Sequence, residues 1–166
     1  VGLLSALHAL EKKEVTKHQR ALDAIHIEQN LIKEHVGSQD QIHAAHGGLN
    51  IIEFSKDNIA VRPVSITEEK LALLDKSLLG FYTGLTRFAP EILTEQIEKT
   101  KSGVSDEHLR AMYQMVFEAE KIIIHEPPEV MIKKLGALLY EAWRLKKSLS
   151  TKVTNDYIDD IYARAM

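Results

Sequence analysis

One stretch governs how this chain can fold. From Thr16 to about Glu34 the residues read as a single amphipathic helix, opened by Thr16-Lys17-His18-Gln19 in the form of a capping box. Turned at helical pitch, one face gathers Ala21, Ala24, Ile25, Leu31 and Ile32, an apolar stripe that other elements must cover. Glu28 falls at the centre of that stripe. A carboxylate there is costly unless something pairs with it. The helix therefore demands a core and sets a charge against it.

The flanking segments supply the cover. Leu3 to Leu10 has helical spacing. After the long helix, Ser38-Gln39-Asp40-Gln41 repeats the capping-box form, so Ser38 is expected to cap a short helix from about Gln39 to Ala45, stopped by Gly47-Gly48. "LNIIEF" and "IAVRPV" read as two strands joined by Ser55-Lys56-Asp57-Asn58, with Pro63 at an edge or strand end. Thr67 opens a helix to about Asp75, and "SLLGFYT" reads as a buried strand stopping at Gly84. A helix is expected from about Pro90 to Lys101, and another, capped by Ser105, to about Ile124. Pro127-Pro128 begins a long helix through Lys147, and Asn155 caps the last one. Helices and strands do not alternate in βα order, so an α+β fold is expected rather than a doubly wound sheet.

Composition narrows the partners. Apolar residues make up 45% and charged residues 27% of the 166 positions, a globular balance whose size alone suits one domain. A net charge of −3, with both signs mixed along the chain, lacks the basic face of a nucleic-acid binder. The absence of cysteine excludes disulfides and thiolate zinc sites. No apolar run approaches the ~18 residues of a membrane span, and "VGLLSALHAL" has no basic leader region. The cytoplasm is the default location. The chain opens and closes inside helices, so a fragment of a longer protein is expected.

Several residues could carry chemistry. Asp40 falls at the second position of its helix, where free amides and the positive helix end favour a negative charge. It is either an ordinary first-turn acid or a base at the mouth of a site, accepting a proton from a substrate hydroxyl during phosphoryl transfer. Glu28 is either half of a buried ion pair or a ligand for magnesium, which takes a few carboxylate oxygens plus phosphate and water. His26, His35, His43 and His46 crowd the same region, but neither an HExxH pattern nor a spaced third ligand is present, and zinc is not favoured. In "FYTGLTR", Thr83, Gly84 and Arg87 follow an apolar run. Arg87 is either a phosphate contact or a surface cation. "WRLKKSLSTKVTN" is a solvated helix end or the wall of a polar pocket.

Together these stretches resemble the GHMP kinases. "EQNLIKEHVGSQDQ" is similar to the galactokinase segment in which a helix glutamate precedes Gly-x-x-Asp-Gln by a dozen positions. The resemblance is closer to the heptose 7-phosphate kinase branch, through "VGLL-ALHAL", "AIHIEQ", "VGSQDQ-AA-GG-N-IEF", the "TG--R" turn, "LRAM--MV-EA" and "W-LK-SLS-K--N--ID-IY". It covers essentially the whole chain. It implies the helix-rich central and C-terminal part of a two-layer fold with a few antiparallel strands. Residues 1–66 would end a catalytic domain, and 67–166 would belong to a C-terminal domain. The implied activity is ATP-dependent phosphorylation of an anomeric sugar hydroxyl, with D-glycero-D-manno-heptose 7-phosphate as acceptor.

By the same resemblance Asp40 is the base and Glu28 a Mg²⁺ ligand. Gly37, Ser38, Thr83 and Arg87 would lie near the sugar, as would the Lys147-Ser148-Leu149-Ser150 region. The family's Ser-rich phosphate loop, similar to "GLGSSSS", is expected just ahead of Val1, and a Gly-rich motif similar to "GAGGGG" shortly after Met166. Neither is within these residues, so the chain as given is expected to bind ATP poorly and to turn over nothing. A fucose- or galactose-type kinase of the same superfamily, or a non-catalytic helical interaction module, are the alternatives.

Overall fold

The computed structural model describes residues 1–34, 36–84, 99–150 and 153–166. The fold is α+β: helices dominate, and the sheet among the described residues is one antiparallel hairpin. The chain divides after Pro63 into two compact units, Val1–Pro63 and Val64–Met166, rather than the one domain its length alone suggests.

The first unit contains α1 (Gly2–Leu10), α2 (Lys17–His26), α3 (Gln39–His46), β1 (Asn50–Phe54) and β2 (Ile59–Pro63). Ala21 and Ile25 of α2 meet Ile42 and Ala45 of α3 in its core, and Val1, Leu22, Ile52, Ile59 and Val61 close over them. The hairpin pairs Ile52 with Val61 and Phe54 with Ile59. Strand alternation thus puts Ile52, Ile59 and Val61 on one face, toward that core. The turn at Ser55–Asn58 stands as expected, with the Ser55 amide donating to the Asn58 carbonyl at 2.9 Å. Pro63 ends β2, where its missing N–H costs no ladder bond. No residue of α1 is buried, and Leu3 is 75% exposed.

The second unit holds α4 (Glu68–Ser77), α5 (Asp106–His125), α6 (Pro128–Leu149) and α7 (Asp156–Ala165). Ile122 and Ile123 of α5 and Met131 of α6 are buried. Lys70 of α4 donates to the Ile123 and Ile124 carbonyls at 2.7 and 3.0 Å, satisfying the acceptors that a helix end leaves free. Trp143 of α6 and Tyr162 of α7 lie ring against ring, 5.6 Å apart. No helix among the described residues is long and apolar enough to cross a membrane.

Three expectations are corrected. The stretch from Leu78 to Thr83 is no buried strand: Leu79 is 80% and Tyr82 91% exposed, and neither pairs with a neighbouring strand. An apolar run alone does not specify a strand, because the backbone ladder also needs a partner. The helix expected to run from Thr16 to Glu34 leaves α geometry at His26. A π-helical turn follows over Ile27–Leu31, closed by the Ile32 amide on the Ile27 carbonyl at 2.8 Å. The wider turn slips the stripe out of phase, and Leu31 and Ile32 end 64% and 58% exposed.

The third concerns the caps. Thr16, Thr67 and Asn155 cap their helices through the side chain, with ψ between 154° and 170°. Ser38 and Ser105, with ψ of −4° and 0°, occupy the cap position without capping. An extended cap residue swings its side chain over the first amides, and a helical one does not. The helix expected from Pro90 lies mostly outside the described residues, which are helical at 99–101.

Candidate active site

The π turn decides where Glu28 goes. Its residues spread more widely than those of an α turn, and both Glu28 and Gln29 reach the segment that leads into α3. The Gln41 side-chain amide donates to Glu28 Oε2. Gln29 Nε2 donates to the Val36 carbonyl at 2.9 Å and to Ser38 Oγ at 3.1 Å. The pattern at 38–41 that reads as a capping box is therefore not one. Its Ser and Gln are spent tying the segment back onto the π turn. The Glu34 amide closes on the Glu28 carbonyl at 2.9 Å, with Lys33 at φ 61° between them, a left-handed helix end built without the usual glycine.

The result is a hollow of about 380 Å³ whose walls include Glu28, Gly37, Asp40 and Gln41, with Val1 and Gly2 from the start of α1. Glu28 and Asp40 thus border one space, as the sequence reading requires. Glu28 is half-buried, and no cation pairs with it among the described residues. Its partner is an amide, so the ion-pair alternative does not hold there. Asp40 is exposed at the second position of α3. A Cβ added at Gly37 would meet nothing within 4 Å, so this side of the hollow is open. Ser38 stands behind the wall, its hydroxyl held by Gln29.

The donor set suits one kind of metal. Among the described residues no three His, Cys, Asp or Glu side chains gather, as a zinc site would need. A half-buried carboxylate beside a second acid, with room for phosphate and water, fits magnesium. Two carboxylates alone would repel a polyphosphate. A divalent cation held at Glu28 would offset that repulsion.

Thr83 belongs to the second unit, half-buried in an irregular segment that reaches Gly84 at φ 72°. Arg87 lies outside the described residues, as does His35. Lys147 pairs with Asp159 at 3.4 Å and stands 5.8 Å from the Trp143 ring centre. Ser148 donates to the Leu145 carbonyl at 2.6 Å, and Ser150 is buried. A wider groove of about 750 Å³ runs between α5 and α6, where Lys134 and Glu126 neutralise each other at 2.5 Å.

Sequence reasoning missed Gln41 as a site residue. The signal was there: Gln41, Ile42 and Ala45 form the buried face of α3, so a polar side chain sits on the side where the helix seeks cover.

At the far end of α3, His46 lies edge-on to His18, their ring centres 6.0 Å apart, and its carbonyl accepts from Lys17 Nζ at 2.9 Å. Burial, then the His18 and Lys17 charges, hold its pKa below the usual 6.5. The unfolded chain therefore takes a proton that the folded one resists, and stability is lost as pH falls below about 6.5. Urea midpoints at pH 8 and pH 5.5 should differ less for His46→Gln than for the parent. An equal difference would remove His46 from the account.

The chain resembles one curated protein in particular, the D-glycero-alpha-D-manno-heptose 7-phosphate kinase of Campylobacter jejuni, with 29% identity over 171 aligned positions. The alignment covers 100% of this chain and 48% of that kinase. The chain thus spans about half the length of the relative it matches. No family model matches the chain, and no solved structure does.

Proposed function

We propose that these residues form the central and C-terminal part of an ATP-dependent sugar kinase of the GHMP type. Its acceptor would be the anomeric hydroxyl of D-glycero-D-manno-heptose 7-phosphate. Residues 1–66 then belong to the catalytic domain and 67–166 to the C-terminal one. One observation carries the reading: Glu28 and Asp40, twelve positions apart in sequence, border a single hollow. The kinship with a heptose 7-phosphate kinase supports it from a separate direction.

In this reading Asp40 orients the acceptor hydroxyl and takes its proton as the phosphoryl group arrives. Glu28 would hold Mg²⁺, which when bound neutralises charge on the ATP phosphates. Gly37 leaves room for the sugar, and Ser38 fixes the segment behind it. Thr83 and Arg87 are assigned to the sugar and its phosphate. The start of α1, whose first turn has no side-chain cap, adds the positive end of a helix to the hollow.

Thermal protection of the complete protein tests the metal role. Ligand at a hundred times its Kd stabilises a native protein by about 2.7 kcal/mol. Mg²⁺ with ADP should raise the melting temperature of the parent by several degrees, and that of Glu28→Gln by little. If Glu28 belongs instead to a non-catalytic helical module, the variant changes stability and both proteins respond alike to Mg²⁺ and ADP. A panel of heptose 7-phosphate, fucose and galactose then decides among acceptors.

A further inference from the structure

Gln41 is only 7% exposed, and its side-chain carbonyl Oε1 has no hydrogen-bond partner. The amide can stand only one way round, because its NH₂ faces Glu28 Oε2. Reversed, two oxygens would oppose each other. A glutamine so placed is a poor choice for packing. It buries a side-chain acceptor unsatisfied, which a methionine of similar length would not do. Residues that break a local rule in this way gather at functional sites. What the amide does is fix the carboxylate of Glu28. It occupies one oxygen, and it joins the π turn to α3 at the residue next to Asp40.

We infer that Gln41 is a positioning residue for a divalent cation at Glu28, holding the carboxylate rotamer in which its other oxygen serves the hollow shared with Asp40. This rests on the kinase reading above. A carboxylate on the rim of an open hollow would otherwise sample several rotamers, and a metal would have to arrest it on binding. Holding it beforehand lowers that cost. Partners that orient a metal's ligand typically change affinity by about 10- to 100-fold when removed.

The test uses the complete protein, with Mn²⁺ as a paramagnetic probe titrated by electron paramagnetic resonance in the presence of ADP, and Mg²⁺ in turnover assays. Gln41→Met should weaken Mn²⁺ binding by about 10- to 100-fold. It should raise the Mg²⁺ concentration for half-maximal rate to match. A merely structural glutamine would, on the same substitution, lower stability and leave metal affinity unchanged. Should Gln41→Met fail to fold, Gln41→Asn makes the same comparison with an amide one methylene short of Glu28. Metal affinity equal to the parent in the folded variants, while Glu28→Gln loses Mn²⁺, overturns the role of Gln41 and leaves the kinase reading standing. If Glu28→Gln itself binds Mn²⁺ as the parent does, the metal assignment falls, and the role of Gln41 falls with it.

Discussion

Asp40→Asn in the complete protein should lower kcat by about 10²- to 10⁴-fold, the usual contribution of a positioned general base. Binding should be little affected. Asparagine keeps the size of the side chain and one acceptor oxygen, so the acceptor sugar can still dock. What it loses is the capacity to take a proton as the new phosphate ester forms. The folded state should be nearly indifferent, because Asp40 is exposed and its charge at the second position of α3 gains only about 0.3–1 kcal/mol from the helix end. The measurement is a steady-state rate on heptose 7-phosphate at saturating MgATP, beside a melting curve. Unchanged turnover would return Asp40 to an ordinary first-turn acid. A large fall in melting temperature would assign the loss of rate to unfolding instead.

The structure explains why that acid was easy to find and its neighbours were not. Capping residues, glycine stops and the four-residue turn are local signals, and local signals placed most of the helices and the whole hairpin. The α+β class followed from their order. Glu28 was legible too, as a charge out of place on an apolar face. Its amide partner, Gln41, was not. Periodicity assumes an unbroken α-helix, and the π turn at Ile27–Leu31 violates that assumption at the point where the stripe meets the site. Once the phase slips, Leu31 and Ile32 no longer face the core, and Glu28 turns toward Gln41. The bonds responsible span 7 to 13 positions, a separation at which no helical or strand spacing gives warning.

Ser38 shows the same limit in smaller compass. Thr16-x-x-Gln19 and Ser38-x-x-Gln41 share a pattern, yet only the first caps its helix. The difference is one backbone angle, set by what each hydroxyl can reach. For Ser38 that is Gln29. The exposed run from Leu78 to Tyr82 fails for another reason, since composition reports an apolar segment without saying what covers it.

Ile42→Ala carries the second large expectation, a loss of about 2–5 kcal/mol in the stability of the first unit. Ile42 is 0% exposed and lies in the cluster with Ala21, Ile25 and Ala45. Two of its companions are alanines, too small to close over the space that a lost isoleucine leaves. Part of the cost is transfer of the missing carbons and part is the unfilled cavity, so Ile42→Val should lose only about 0.5–1.5 kcal/mol. Urea unfolding of both variants measures the pair, and a loss below about 1 kcal/mol for alanine would mean that α3 is not anchored on α2. The consequence reaches the site, because Ile42 and Asp40 share α3 about 200° apart around its axis. One side of this short helix is fastened to the core and the other presents the acid. Gln41, between them, ties α3 to Glu28. Weakening the anchor should therefore raise the Mg²⁺ requirement at temperatures well below unfolding, as α3 gains freedom to rock against the π turn, whereas an equally costly cavity at Met131 in the second unit should leave that requirement alone.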